Sequence, residues 1–106
     1  MPRGGKNVAM SLRHIVMWNL RDPADAPRFV ALLESCVGIV PGMLEFEPKA
    51  KTAGLEASCD VVLVSTFSDA AALAAYQNHP HHKQVAAQLG EMREARHVFD
   101  YETEED

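Results

Sequence analysis

The chain is poor in the features that most readily announce a function. Of its 106 residues only two are cysteine, Cys36 and Cys59, and both fall inside apolar runs. A domain of this size with a good core needs no disulfide, so both are expected to be buried thiols. No run reaches the roughly 18–20 apolar residues that span a bilayer. The opening "MPRGGKNVA" carries cations with no apolar stretch behind them, which is not the pattern of a signal peptide. A cytoplasmic location is the default expectation. Basic residues are scarce too, 10 against 15 acidic for a net charge of −5, and they form no stripe. Nucleic acid and anionic membrane are therefore excluded as partners. There is no Gly-rich phosphate loop, and "GLEAS" (54–58) lacks the Gly-x-Ser-x-Gly turn of a nucleophile elbow. Trp18, Phe29, Phe67 and Phe99 stand at spacings that a core requires anyway, not at those of a cofactor box.

What is present reads as one globular domain, since hydrophobic residues make up 47% and charged residues 24%. Residues 1–9, with Gly4-Gly5 and no period, are expected to be a flexible tail. The domain is expected over 10–102, followed by an acidic tail over 103–106. "LRHIVMWNL" (12–20) reads as a strand, with His14, Val16, Trp18 and Leu20 on one face and Arg13, Ile15, Met17 and Asn19 on the other. Phe29, Leu32, Leu33, Cys36, Val37 and Val40 recur as one helical stripe that ends at Pro41-Gly42. "MLEFEPKAK" (43–51) reads as a strand with Pro48 at an edge, and "CDVVLVSTF" (59–67) as a strand buried on both sides. Ser68 and Asp69 offer an N-cap for a short Ala-rich helix to Asn78. A second helical piece follows from Pro80 to about Ala95, and "RHVFDYE" (96–102) reads as the last strand. Asp60 and Asp100 sit within strand patterns, with Arg13 or Arg96 as candidate partners.

The order β-α-β-β-α-β, with the second helix broken at Pro80, predicts an α+β, ferredoxin-like fold with an antiparallel sheet. Right-handed crossovers place every helix on one face of that sheet. Ile15, Met17 and half of the Val61–Phe67 strand then stand on an uncovered apolar face. Such a patch implies a homodimer, sheet against sheet.

"YQNHPHHK" (76–83) is the densest chemical signal. With Pro80 at the first helical position, His79 becomes the N-cap and the pair marks a structural helix start. His82 has Val85, Ala86 and Leu89 at i+3, i+4 and i+7, so it points inward. His81 turns toward Gln84 and Gln88, and so toward water. Tyr76 closes the preceding helix over Ala72 and Leu73 and faces the core, where its phenol needs a partner. His14 is the third inward polar residue. The directions of His79, His81 and His82 diverge and no Cys or carboxylate stands at ligand spacing, so no metal is expected. His97 is expected at the surface or a dimer edge.

A first-strand histidine in "RHIVMWNL" and the later Tyr-x-x-His-Pro-x-His of "YQNHPHHKQV" resemble the stress-responsive A/B barrel (dimeric α/β barrel) family over roughly residues 11–102. The resemblance implies a dimeric α/β barrel with a pocket in each subunit. The family includes plant polyketide (olivetolic acid) cyclases that need no cofactor. By that resemblance His82 and Tyr76 serve an intramolecular aldol condensation, and His14 lines the pocket. From their chemistry Tyr76 is also a candidate partner for the imidazole or a substrate oxygen, and His14 a candidate catalytic donor to a developing enolate or carbonyl oxygen. Where those cyclases carry aromatic residues along the first helix, this chain has Val30 and Leu33. The pocket lining is expected from Trp18, Val30, Leu33, Val85 and Leu89. The expected function is a cofactor-free cyclase or isomerase acting on a carbonyl-bearing, polyketide-like or aromatic small molecule, with His82 as base. A non-catalytic stress-response or ligand-binding protein and a cofactor-free monooxygenase are the alternatives.

Overall fold

The computed structural model describes residues 9–105. Its elements run β1 (Ala9–Leu20), a short 3-10 turn (Pro23–Asp25), α1 (Ala26–Glu34), β2 (Met43–Ala50), β3 (Val61–Phe67), α2 (Ala70–Asn78), α3 (Pro80–Met92) and β4 (Arg93–Glu105). The sheet is antiparallel throughout, with strand order β2-β3-β1-β4. This is the α+β, ferredoxin-like arrangement that the sequence pattern requires. Of the stretch expected as a tail, residues 1–8 lie outside the described residues, while Ala9 already pairs with Glu105. At the other end Thr103, Glu104 and Glu105 continue β4 instead of forming a separate acidic tail.

Register decides which side chains meet. His14, Val16, Trp18 and Leu20 of β1 face the helices and are all buried, as are Val61, Leu63, Ser65 and Phe67 of β3. The Ser65 hydroxyl is tolerated there because it donates to the His14 carbonyl at 2.8 Å. Pro48 sits on β2, an edge strand, where its missing N–H leaves no gap in the ladder. Asp69 is the N-cap of α2, its carboxylate accepting from the Ala72 N–H at 2.8 Å.

Several expectations need correction. Phe99 is no core residue: it is 67% exposed on the face of the sheet away from the helices, paired with Ile15. The first helix stops at Glu34, not at Pro41. The Ser35 hydroxyl donates back to the Leu32 carbonyl, and Cys36, Val37 and Ile39 make i→i−3 bonds in turns instead of continuing the helix. Gly38 takes φ +75°, and the β-branched Val37, Ile39 and Val40 favour helix weakly. Val37, expected in the stripe, is therefore exposed. Cys36 is fully buried but Cys59, on the loop before β3, is only half-buried; both are free thiols. Asp60 pairs with neither Arg13 nor Arg96. It accepts from the Leu20 N–H at 2.8 Å and from Lys51 at 3.0 Å, and these contacts, the Leu20 bond first, hold its carboxyl below the usual range.

Gly42 fixes the turn from α1 into β2. Its φ is +86°, and a Cβ there would lie 2.5 Å from the Ser68 hydroxyl oxygen and 2.9 Å from the Ala72 Cβ. Gly42→Ala is expected to cost about 2–4 kcal/mol, combining the left-handed backbone penalty with overpacking. That corresponds to a drop of roughly 10–25 °C in Tm for a domain of this size. Thermal unfolding followed by circular dichroism reads it directly, and an unchanged midpoint would refute the close approach.

Candidate active site

Three rings reach one space from three elements. His14 comes from β1 because even-numbered positions of that strand face the helices. It is 3% exposed, and its ring stands edge-on to Tyr76 with centroids 6.4 Å apart. Opposite it in register on β4 is Asp100, whose Oδ1 lies 2.5 Å from the His14 Nδ1. A carboxylate there accepts from Nδ1–H, so the neutral imidazole keeps its lone pair on Nε2.

Tyr76 ends α2 facing inward over Leu73 and Ala72, and it is 2% exposed. Phe46, Phe67 and His82 surround its ring at centroid distances of 5.6, 5.3 and 4.3 Å. Its hydroxyl has no hydrogen-bond partner among the described residues. Nor is it fully buried, since no fully buried side-chain polar atom there lacks a partner, and the residue lines a cavity. Burial raises the phenol well above its ordinary pKa, and the nearby Cys36 adds to this while Arg96 opposes it. The group stays a neutral O–H donor.

His82 enters from the first turn of α3. Pro80 begins that helix, and the His79 Nδ1 accepts from the His81 N–H at 3.0 Å, which makes His79 the N-cap. The His82 Nδ1 lies 3.2 Å from the Gln77 carbonyl, which can only accept, so Nδ1 carries the proton and Nε2 the lone pair. Burial pushes the imidazole below its usual pKa. The Gln77 carbonyl opposes this, while electrostatic interaction with the neighbouring His14, Arg96 and His79 reinforces it. Neutral imidazole with a free nitrogen is the form a general base needs.

The remaining histidines separate. The His81 Nε2 meets the Ser35 hydroxyl at 2.8 Å, tying α3 to the end of α1, so His81 is partly covered instead of standing free in water. His97 is exposed on the far face of the sheet, opposite Met17. Among the described residues no three His, Cys, Asp or Glu side chains converge to hold a metal.

The cavity measures about 200 Å³, is partly open to solvent, and is lined by His14, Val16, Trp18, Leu33, Leu63, Tyr76, His82, Ala86, Leu89, Arg93 and Arg96. That is smaller than the 300–1,000 Å³ usual for drug-sized ligands. Trp18, Leu33 and Leu89 line it as the sequence suggests, but Val30 and Val85 do not. On α3 the lining stripe is His82, Ala86 and Leu89; Val85 lies about 60° off it at 100° per residue and is packed into the core, 1% exposed. Val30 is similarly displaced from Leu33 and packs against the core's margin. Arg93 and Arg96 are lining residues that the sequence pattern did not reveal, because their orientation depends on an irregularity in β4.

Solved structures share this fold. A dimeric ferredoxin-like protein of unknown function from Jannaschia sp. CCS1 is 27% identical with a TM-score of 0.72, over 88% of this chain and 99% of that one. A dimeric ferredoxin-like protein of unknown function from Thermobifida fusca is 19% identical with a TM-score of 0.78, over 95% and 98%. A hydroxynitrile lyase from Passiflora edulis is 19% identical with a TM-score of 0.73, over 91% and 95%. No curated protein matches the chain in sequence. The model of the stress-responsive A/B barrel domain matches residues 12–103. With nearly the whole described chain inside that match, the protein belongs to the stress-responsive A/B barrel family.

Proposed function

We propose that the protein is a homodimer in which each subunit encloses a small carbonyl compound and uses His82 as a base, without a cofactor, to act as a cyclase or isomerase. One observation carries this reading: Tyr76 is almost fully buried, its hydroxyl has no hydrogen-bond partner among the described residues, and it lines the same space as His82 and His14. The cavity leaves that donor open to a ligand. A substrate oxygen would satisfy it.

The proposed step is proton abstraction beside a carbonyl. The His82 Nε2 takes a proton from the adjacent carbon, and the C–H electron pair becomes the C=C of an enolate as the carbonyl pair moves onto oxygen. Tyr76 O–H donates to that oxygen where its negative charge develops. His14 can donate there only as the doubly protonated ring, whose Nδ1–H the Asp100 carboxylate already holds. Returning the proton from His82 to a different carbon gives isomerisation. Attack of the enolate carbon on a second carbonyl of the same molecule gives ring closure, the new alkoxide taking the proton from His82. A lyase reaction also starts with a base next to an oxygen-binding group, and one fold neighbour is a hydroxynitrile lyase.

Hydrogen–deuterium exchange tests the step without knowledge of the natural substrate. In D2O with small aryl ketones such as phenylacetone, the wild type is expected to speed deuterium uptake at the carbon next to the carbonyl, as read by mass spectrometry. Binding without exchange would make the protein a ligand carrier instead. Oxygen consumption with a phenolic ligand would make it a monooxygenase.

A further inference from the structure

The cavity has a cationic side that the proposed chemistry does not use. The pairing of β1 with β4 slips between Asn19 and Leu20: Asn19 pairs with Ala95 but Leu20 with Arg93, which leaves Glu94 as an extra residue. Without this bulge Arg93 and Arg96, three positions apart, would point to opposite faces of the strand. With it, both line the cavity. Neither guanidinium meets a carboxylate among the described residues, although the chain carries 15 acidic side chains against 10 basic. Arg96 is exposed and Arg93 half-exposed, while Val16, Trp18, Leu33, Leu63 and Leu89 form a buried apolar wall.

Two unpaired guanidiniums beside an apolar cavity suit a planar anion attached to a hydrophobic body, since the guanidinium fork matches a carboxylate with two parallel hydrogen bonds. Inorganic phosphate would satisfy the charges and leave the wall uncovered. We propose that the ligand of this pocket is a small organic carboxylate, its carboxylate held by Arg93 and Arg96 and its apolar body lying toward Tyr76, His82 and His14. This rests on the reading of the cavity as a small-molecule site and names the ligand's chemical class.

The test is binding to the intact protein of phenylacetate and benzoylformate, each beside its primary amide, by titration calorimetry. Each acid is expected to bind at least tenfold tighter than its amide. Arg93→Gln combined with Arg96→Gln is expected to bring the acids to the level of the amides. A thermal unfolding midpoint confirms that the variant folds, and Arg96→Gln alone, at an exposed side chain, serves if the double variant does not. Equal binding of acid and amide, no binding of either acid, displacement of phenylacetate by equimolar inorganic phosphate, or a preference that survives the substitutions would each overturn the proposal. Exchange chemistry does not enter this readout: acid preference without exchange supports the carboxylate site and removes the base, and exchange without acid preference does the reverse.

Discussion

Replacing His82 with alanine is expected to lower enzyme-dependent deuterium exchange by about 10²–10⁴-fold, the range a positioned general base contributes. At 1.4 kcal/mol per factor of ten this is roughly 3–6 kcal/mol of transition-state stabilisation. The fold is expected to persist, because His82 is half-buried at the cavity wall and its one hydrogen bond goes to the backbone of the preceding helix. Far-ultraviolet circular dichroism should be unchanged. The pH profile has a fixed sign. The base works as neutral imidazole, and burial holds the ring's pKa below the ordinary histidine value of 6.5. Exchange is therefore flat through neutrality and falls on the acid side, with its midpoint below 6.5. Stability follows the same direction, because the folded ring binds its proton more weakly than the unfolded one. The contribution of neutral His82 is present above the unfolded pKa and is lost as pH falls through it toward the folded pKa. A profile that rises on acidification, or exchange that survives in His82→Ala, would remove this residue from the chemistry.

Charging the open face of the sheet is expected to break the proposed dimer. Ile15, Met17, Val62, Val64, Phe99 and Tyr101 all stand on the side away from the helices, Phe99 67% and Met17 39% exposed. An apolar patch of this kind marks an association surface. In a two-fold pairing each substitution enters the interface twice. Met17→Asp with Phe99→Asp would therefore place four carboxylates in one interface, each costing several kcal/mol if buried unpaired. Multi-angle light scattering at micromolar concentration should give the mass of two chains for the wild type and one chain for the variant. Both positions are solvent-exposed in the single chain, so the subunit should still fold. A wild type of single-chain mass, or a variant that remains dimeric, would contradict the sheet-to-sheet pairing.

Those outward residues were legible in the sequence because strand alternation is strict: Ile15 and Met17 could be placed opposite His14, Val16 and Trp18 by counting alone. The cap at His79, the edge position of Pro48 and the inward turn of Tyr76 and His82 were legible for the same reason, since each depends on local spacing. Pairings between distant segments were not. Asp100 meets His14 because of the β1–β4 register, 86 positions apart in the chain. Arg93 and Arg96 share a face only through the extra residue Glu94, a pairing irregularity that leaves no periodic trace. The early end of α1 escaped because its apolar stripe runs on past Glu34 through Cys36 and Val40, which are buried from turns instead of a helix.

The proposed chemistry depends on the protonation state of one ring, and long-range proton–nitrogen NMR of the histidine side chains reads it most directly. At pH 7 the His82 ring should be neutral, its proton on Nδ1 against the Gln77 carbonyl and its bare Nε2 shifting when phenylacetate or an aryl ketone is added. A doubly protonated ring at that pH, a proton on Nε2 instead, or an Nε2 signal indifferent to every ligand that binds would contradict it.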